Sequence, residues 1–257
     1  MMKKALVAGC SFTAGHGLDG GIKDSRLWIN QIFDDHDITN TAISGLNNHS
    51  IFIASAQELK HADYDIALVA WSAIPRFNLK LGLEVYSTVT MLKDHSQDVN
   101  LNPYCTVSNR WQKKVGDQLR KYHNDHWDIL HLVNYVNILI DLTRNTKTKI
   151  FFVNALCPWP DGYFNFAHVD NYRTDLNSYY QNLIQIRTRD DIGIGKLYEK
   201  IHNDYESAGG IHEEYWLNLY HSLVNQRVDS ISDSDNHPGY LSQDMYAKYF
   251  KDKLDNI

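Results

Sequence analysis

Two residues at opposite ends of the chain carry its strongest chemical signal. Ser11 follows a short apolar run, Ala5-Leu6-Val7-Ala8, and a glycine, Gly9. Small residues continue after it in Cys10-Ser11-Phe12-Thr13-Ala14-Gly15, so a tight turn can lift the Ser11 hydroxyl from the end of a strand. A serine hydroxyl is a weak nucleophile until an adjacent base takes its proton. His237, within Asp233-Ser234-Asp235-Asn236-His237-Pro238, is the candidate base, and carboxylates stand beside it in sequence. The chemistry this implies is acyl transfer. Ser11 attacks an ester or amide carbonyl, His237 takes its proton and returns it to the leaving group, and an acid holds the imidazole in the right tautomer. Asp235 and Asp233 are both candidates for that acid. Taken singly, Ser11 reads as a helix cap and His237 as one surface histidine among 13, so the catalytic reading rests on their co-occurrence.

The elements that must position these residues follow from the apolar pattern. Ala5 to Ala8 reads as a first buried strand, Ile38 to Ile43 as a second, and the uninterrupted run Ile66-Ala67-Leu68-Val69-Ala70-Trp71 as a third, covered on both faces. Asp24-Ser25 can cap a helix through Leu27, Trp28, Ile32 and Phe33, and Asn47-Asn48 can cap one carrying Ile51, Ala54 and Leu59. Such strand-then-helix units indicate a parallel sheet, whose ligands bind beyond the carboxyl ends of its strands, where Ser11, Gly45 and Ser72 all fall. From Leu79 to Asn109 no sustained period is expected. Trp111 to His131 and Leu132 to Thr143 read as helices, Lys149 to Ala155 as a further strand, and Ile192 to Ser207 and Glu213 to Val224 as helices. Ser242 can cap a last helix whose inner side would carry Leu241, Met245, Tyr249, Phe250 and Leu254.

Gly9-Cys10-Ser11-Phe12-Thr13-Ala14-Gly15 resembles the first block of the SGNH (GDSL-like) hydrolases, and Asp235-Asn236-His237-Pro238 is similar to their last. Its Asp-x-His spacing resembles a shorter form of that block, which implies Asp235 as the acid, with Asp233 in reserve. Asn40-Thr41-Ala42-Ile43-Ser44-Gly45 resembles the second block, and Trp71-Ser72-Ala73-Ile74-Pro75-Arg76 stands in the place of the third. The resemblance implies a three-layer α/β/α sandwich with a short parallel sheet, SGNH/flavodoxin-like, carrying a helical insertion. One domain over 1–257 is expected, with about 80–130 and 156–230 as insertions over the site. It also implies an esterase or carbohydrate or acyl deacetylase that needs no cofactor and acts on a small-molecule or glycan ester. The oxyanion would be met by the backbone N–H groups of Ser11 and Gly45, where glycine allows close approach. The family's Gly-x-Asn-Asp is missing, so Ser72, Asn48 or Asn47 would replace the side-chain donor. The departure favours a non-catalytic member that binds a glycan or a protein partner, which the intact Ser11 and His237 oppose; an acyltransferase using the same residues is a second alternative.

Arg76 offers a planar fork to a substrate anion, and Asn154 and Trp159 lie at or beyond a strand end, Trp159 in an aromatic loop. Each has a plainer structural reading. His123, His126 and His131 share a predicted helix without a recognised zinc spacing, so no metal site is expected. Gly15-His16-Gly17-Leu18-Asp19-Gly20 matches G-x-G-x-x-G, but it begins too far past the strand to hold a dinucleotide.

With 25 Lys and Arg against 31 Asp and Glu, the chain has a net charge of -6, which argues against nucleic acid or an anionic membrane as partner. Three widely spaced cysteines suit a reducing compartment. Lys3-Lys4 before Ala5 to Cys10 imitates a lipoprotein leader, but its apolar run is too short, and a cytoplasmic protein is expected.

Overall fold

The computed structural model describes residues 2–72, 76–81, 85–90, 125–156, 213–218, 221–233 and 235–256. The chain opens with strand β1 (Lys3–Ala8), whose last four residues are buried, followed by the short helix α1 (Ser11–Ala14). Helix α2 (Trp28–Ile32) leads to β2 (His36–Asn40), and α3 (Asn48–His61) leads to β3 (Ile66–Trp71). Next come a hairpin, β4 (Arg76–Leu81) and β5 (Val85–Thr90), then α4 (Asp125–Thr143) and β6 (Lys149–Asn154). After residue 212 follow the short α5 (Leu223–Gln226), a second hairpin of β7 (Ser230–Ser232) and β8 (Asp235–Pro238), and α6 (Tyr240–Asp255).

Strands β2, β1, β3 and β6 form a parallel four-stranded sheet in that order. Ala5 lies opposite Ile38 on one side and Ile66 on the other, so the register sets apolar residues against each other across the sheet. Crossovers between parallel strands are right-handed. The chain moves one way from β1 to β2 and the opposite way from β2 to β3 and on to β6, so α2 covers one face while α3 and α4 cover the other. The packing agrees. Trp28 of α2 meets Phe250 of α6 at 5.1 Å between ring centroids, and Phe52 of α3 stacks on Tyr135 of α4 at 4.5 Å. The fold is a three-layer α/β/α sandwich, and among the described residues the buried apolar side chains, Ala42 apart, form one continuous cluster.

Several elements differ from their sequence-based expectation. The stretch from Leu79, expected to lack a period, holds the end of β4 and all of β5, in antiparallel register with Leu79 opposite Ser87. The second strand is shorter and earlier than predicted, with its regular pairing ending at Asn40. No helix spans Glu213 to Val224. A single 3₁₀ turn, Glu213–Tyr215, precedes Trp216, which pairs with Phe152 and so extends the sheet beyond β6. Leu217 N–H then donates to Phe152 O at 3.0 Å. Helix α4 continues through residue 131, where two helices were expected to meet. The region 192–207 lies outside the described residues.

Two caps come from elsewhere in the fold. Asp24 does not start a helix. Its carboxylate closes a turn by accepting from Arg26 N–H and Gly20 N–H, while α2 starts at Trp28, whose N–H donates to Gln243 Oε1 of α6 at 3.1 Å. Ser242 does not cap α6 either. The Asp229 carboxylate does, accepting from the backbone N–H of Leu241 at 3.0 Å and of Ser242 at 2.8 Å. Ser242 is instead buried inside the first turn, and Leu241, expected on the inner side, is 65% exposed. Among the described residues no helix is long and apolar enough to cross a membrane.

Candidate active site

The turn after β1 is built around missing side-chain volume. A Cβ on Gly9 would stand 2.4 Å from Thr13 Oγ1 and 3.2 Å from the Ala70 side chain, so only glycine lets α1 fold back this closely on β3. Cys10 is the extended residue before α1, and Ser11 is its first helical residue. Gly15, at φ +68°, ends the helix after one turn. Trp28 Nε1–H donates to Phe12 O at 3.1 Å and pins the turn from the α2 side. Ser11 is 6% exposed, at the floor of the carboxyl edge.

On the hairpin strand β8, Asp235 and His237 are two residues apart and therefore face the same side. Asp235 Oδ1 lies 2.6 Å from His237 Nδ1 and also accepts the His237 backbone N–H at 3.0 Å. That backbone bond is the main reason the Asp235 carboxyl is held below the usual carboxylate range; partial burial opposes it and the ring bond adds to it. Asp233 is exposed in the turn between β7 and β8. The His237 ring packs against Phe12, the neighbour of Ser11, at 5.5 Å between centroids. The C-terminal histidine and the N-terminal serine turn thus meet at one end of the sheet.

A third residue joins them that sequence reasoning passed over. The His16 ring lies 4.4 Å from the His237 ring, tilted by 47°, and His16 Nδ1 is 3.2 Å from Ser44 Oγ. Its signal was its place between Gly15 and Gly17, both at positive φ, which mark a backbone turning sharply to present one side chain.

The loop after β2 is tied to the serine turn through Thr41 N–H to Val7 O at 2.8 Å and Ile43 N–H to Gly9 O at 3.3 Å. Gly45 follows at φ +86°. Asn48 and Ser72 are both buried and bonded to each other: Ser72 N–H donates to Asn48 Oδ1 at 2.7 Å, and Asn48 Nδ2 to Ser72 O at 3.4 Å. Asn47 uses its Oδ1 to cap α3 through Ser50 N–H. Asn154, at the end of β6, is 3% exposed and clasps Asn218, accepting at its backbone O from Asn218 Nδ2 and donating its backbone N–H to Asn218 Oδ1. Arg76 opens β4, and Trp159 lies outside the described residues. The G-x-G-x-x-G stretch runs into a 3₁₀ turn, Gly21–Lys23, where a dinucleotide fold would start a full helix.

No protein-family model and no curated protein matches the chain. Among solved structures it is similar to the psychrotrophic esterase EstA from Pseudoalteromonas sp., at 11% identity and a TM-score of 0.48, covering 99% of this chain and 97% of that one. It is also similar to a protein assigned to the G-D-S-L lipolytic family from Desulfitobacterium hafniense DCB-2, at 9% identity and a TM-score of 0.43, covering 97% and 98%. Over nearly its whole length, then, the chain is similar to solved structures that include an esterase and a G-D-S-L protein.

Proposed function

We propose that the chain is a serine hydrolase that cleaves an ester. Ser11 is the nucleophile, His237 the general base and then acid, and Asp235 the residue that holds the imidazole with Nδ1 protonated. The observation that carries this reading is the 2.6 Å contact between Asp235 and His237 on a ring packed beside the Ser11 turn. An Nδ1–H held by the carboxylate leaves Nε2 as the basic nitrogen, which is what proton removal from a serine requires. In the tetrahedral intermediate, the negative oxygen is met by the backbone N–H groups of Ser11 and Gly45. Asn48 and Ser72 bond each other, so their contribution is to hold the β3 end in place as much as to donate.

The test is labelling with a fluorophosphonate probe, which modifies an activated serine and spares an ordinary one. Wild type is expected to label, and Ser11→Ala and His237→Ala are expected not to. Folded wild-type protein that does not label would overturn the reading. A panel of short acyl esters and acetylated sugars then reports the substrate class.

A further inference from the structure

We propose that His16, Asp235 and His237 bind a divalent transition-metal ion of the zinc type, and that the bound ion blocks the chemistry of Ser11. The second half rests on the serine-hydrolase reading; the first does not. One donor atom from each of the three residues lies within 4.8 Å of the other two. Two imidazoles and a carboxylate are a donor set suited to zinc. Zinc holds such donors at about 2.0–2.2 Å, hence roughly 3.3–3.5 Å from one another, so the ion needs to draw the side chains in by only about an ångström.

The surroundings favour such a closure. His16 is exposed, so water can complete the coordination. Its Nδ1 faces Ser44 Oγ, an outer partner that orients the ring and leaves Nε2 for an ion. Asp235 accepts both His237 bonds on Oδ1, and a Cβ at Gly17 would come within 3.2 Å of Oδ2. Glycine at that position therefore keeps the second carboxylate oxygen clear. In the proposed mechanism His237 and Asp235 already have work to do, but His16 has none. Its presence against them is what turns a catalytic pair into a chelating triad: an ion shared with Asp235 binds His237 at Nδ1, the ring proton moves to Nε2, and Ser11 loses the lone pair it needs.

The experiment titrates the protein with Zn²⁺ by calorimetry, comparing wild type with His16→Ala, and repeats phosphonate labelling with and without the ion. His16 is exposed, so the variant should fold as wild type, which a thermal melt checks. Loss of even an outer partner costs about 10- to 100-fold in metal affinity, so removing a ligand should cost at least that. The expected result is a Zn²⁺ site that weakens by that factor or more in His16→Ala, with Zn²⁺ slowing labelling in wild type and not in the variant. Absent binding, or a titration unchanged by His16→Ala, would overturn the site. Zinc that binds through His16 without slowing labelling would overturn the blocking role. Wild type that fails to label without metal would defeat the hydrolase reading instead, and the calorimetry would still decide the metal site.

Discussion

Asp235 Oδ1 receives two bonds from one residue, the ring Nδ1–H and the backbone N–H of His237. The carboxylate is thereby fixed relative to the imidazole from two directions. Asp235→Asn should lower the phosphonate labelling rate by about 10²- to 10⁴-fold, the range for loss of effective general-base action, with little change in melting temperature. Asp233→Asn, in the exposed turn, should leave the rate unchanged. Equal effects of the two substitutions would show that the carboxylate acts through net charge alone.

Asn48 and Ser72 join the start of α3 to the end of β3 through a buried pair of bonds. Asn48→Ala would leave the buried Ser72 N–H without this acceptor, at a cost of about 1–3 kcal/mol in urea unfolding. If the pair also holds the oxyanion groups, labelling should slow beyond what the lost stability explains. Asn48→Asp keeps the acceptor but sets a buried carboxylate oxygen against Ser72 O, so it should recover none of that stability.

Thr13 Oγ1 is a buried hydroxyl with no hydrogen-bond partner among the described residues. Replacing it with a methyl group removes an uncompensated polar atom, so Thr13→Val should stabilise the fold by about 1 kcal/mol. A destabilised Thr13→Val in a thermal melt would mean that the hydroxyl has a partner in solution, water being the simplest.

Asp229 caps α6. Burial pushes its carboxyl up, and bonds from the Ser242 hydroxyl and from the Ser242 and Leu241 amides more than offset that, leaving it below the usual value. A carboxyl depressed in the folded state stabilises above its unfolded pKa, near 3.9, and that contribution is lost as pH falls through the folded value. Asp229→Ala should therefore cost about 0.5–2 kcal/mol near neutral pH. The gap from wild type should shrink as the pH is taken below about 4.

Much of this layout is legible in the residues. The apolar runs of β1, β3 and β6 can only be strands covered on both faces, and Asn47 caps α3 as its position predicts. What escaped was mostly short or long-range. Phe77, Leu79 and Leu81 alternate with polar residues for only six positions, a period-two pattern too brief to stand out from its surroundings, yet sufficient for β4. The capping of α6 by Asp229 and the pairing of Trp216 with Phe152 depend on distant segments meeting, which local propensity does not encode. The same holds at the site. Ser11 and His237 announce themselves by neighbours in sequence, whereas His16, marked there only by its flanking glycines, gains its meaning from the ring beside it.

The two halves of the candidate site also differ in what anchors them. The Ser11 turn hangs from β1, an inner strand flanked on both sides by others. His237 sits on a hairpin of three- and four-residue strands with an irregular register, braced by α6. Short hairpins open at lower free energy than central strands. On warming, the base should therefore part from the serine while the sheet is still intact, so that the upper working temperature is set by the small hairpin and lies below the melting point of the domain core.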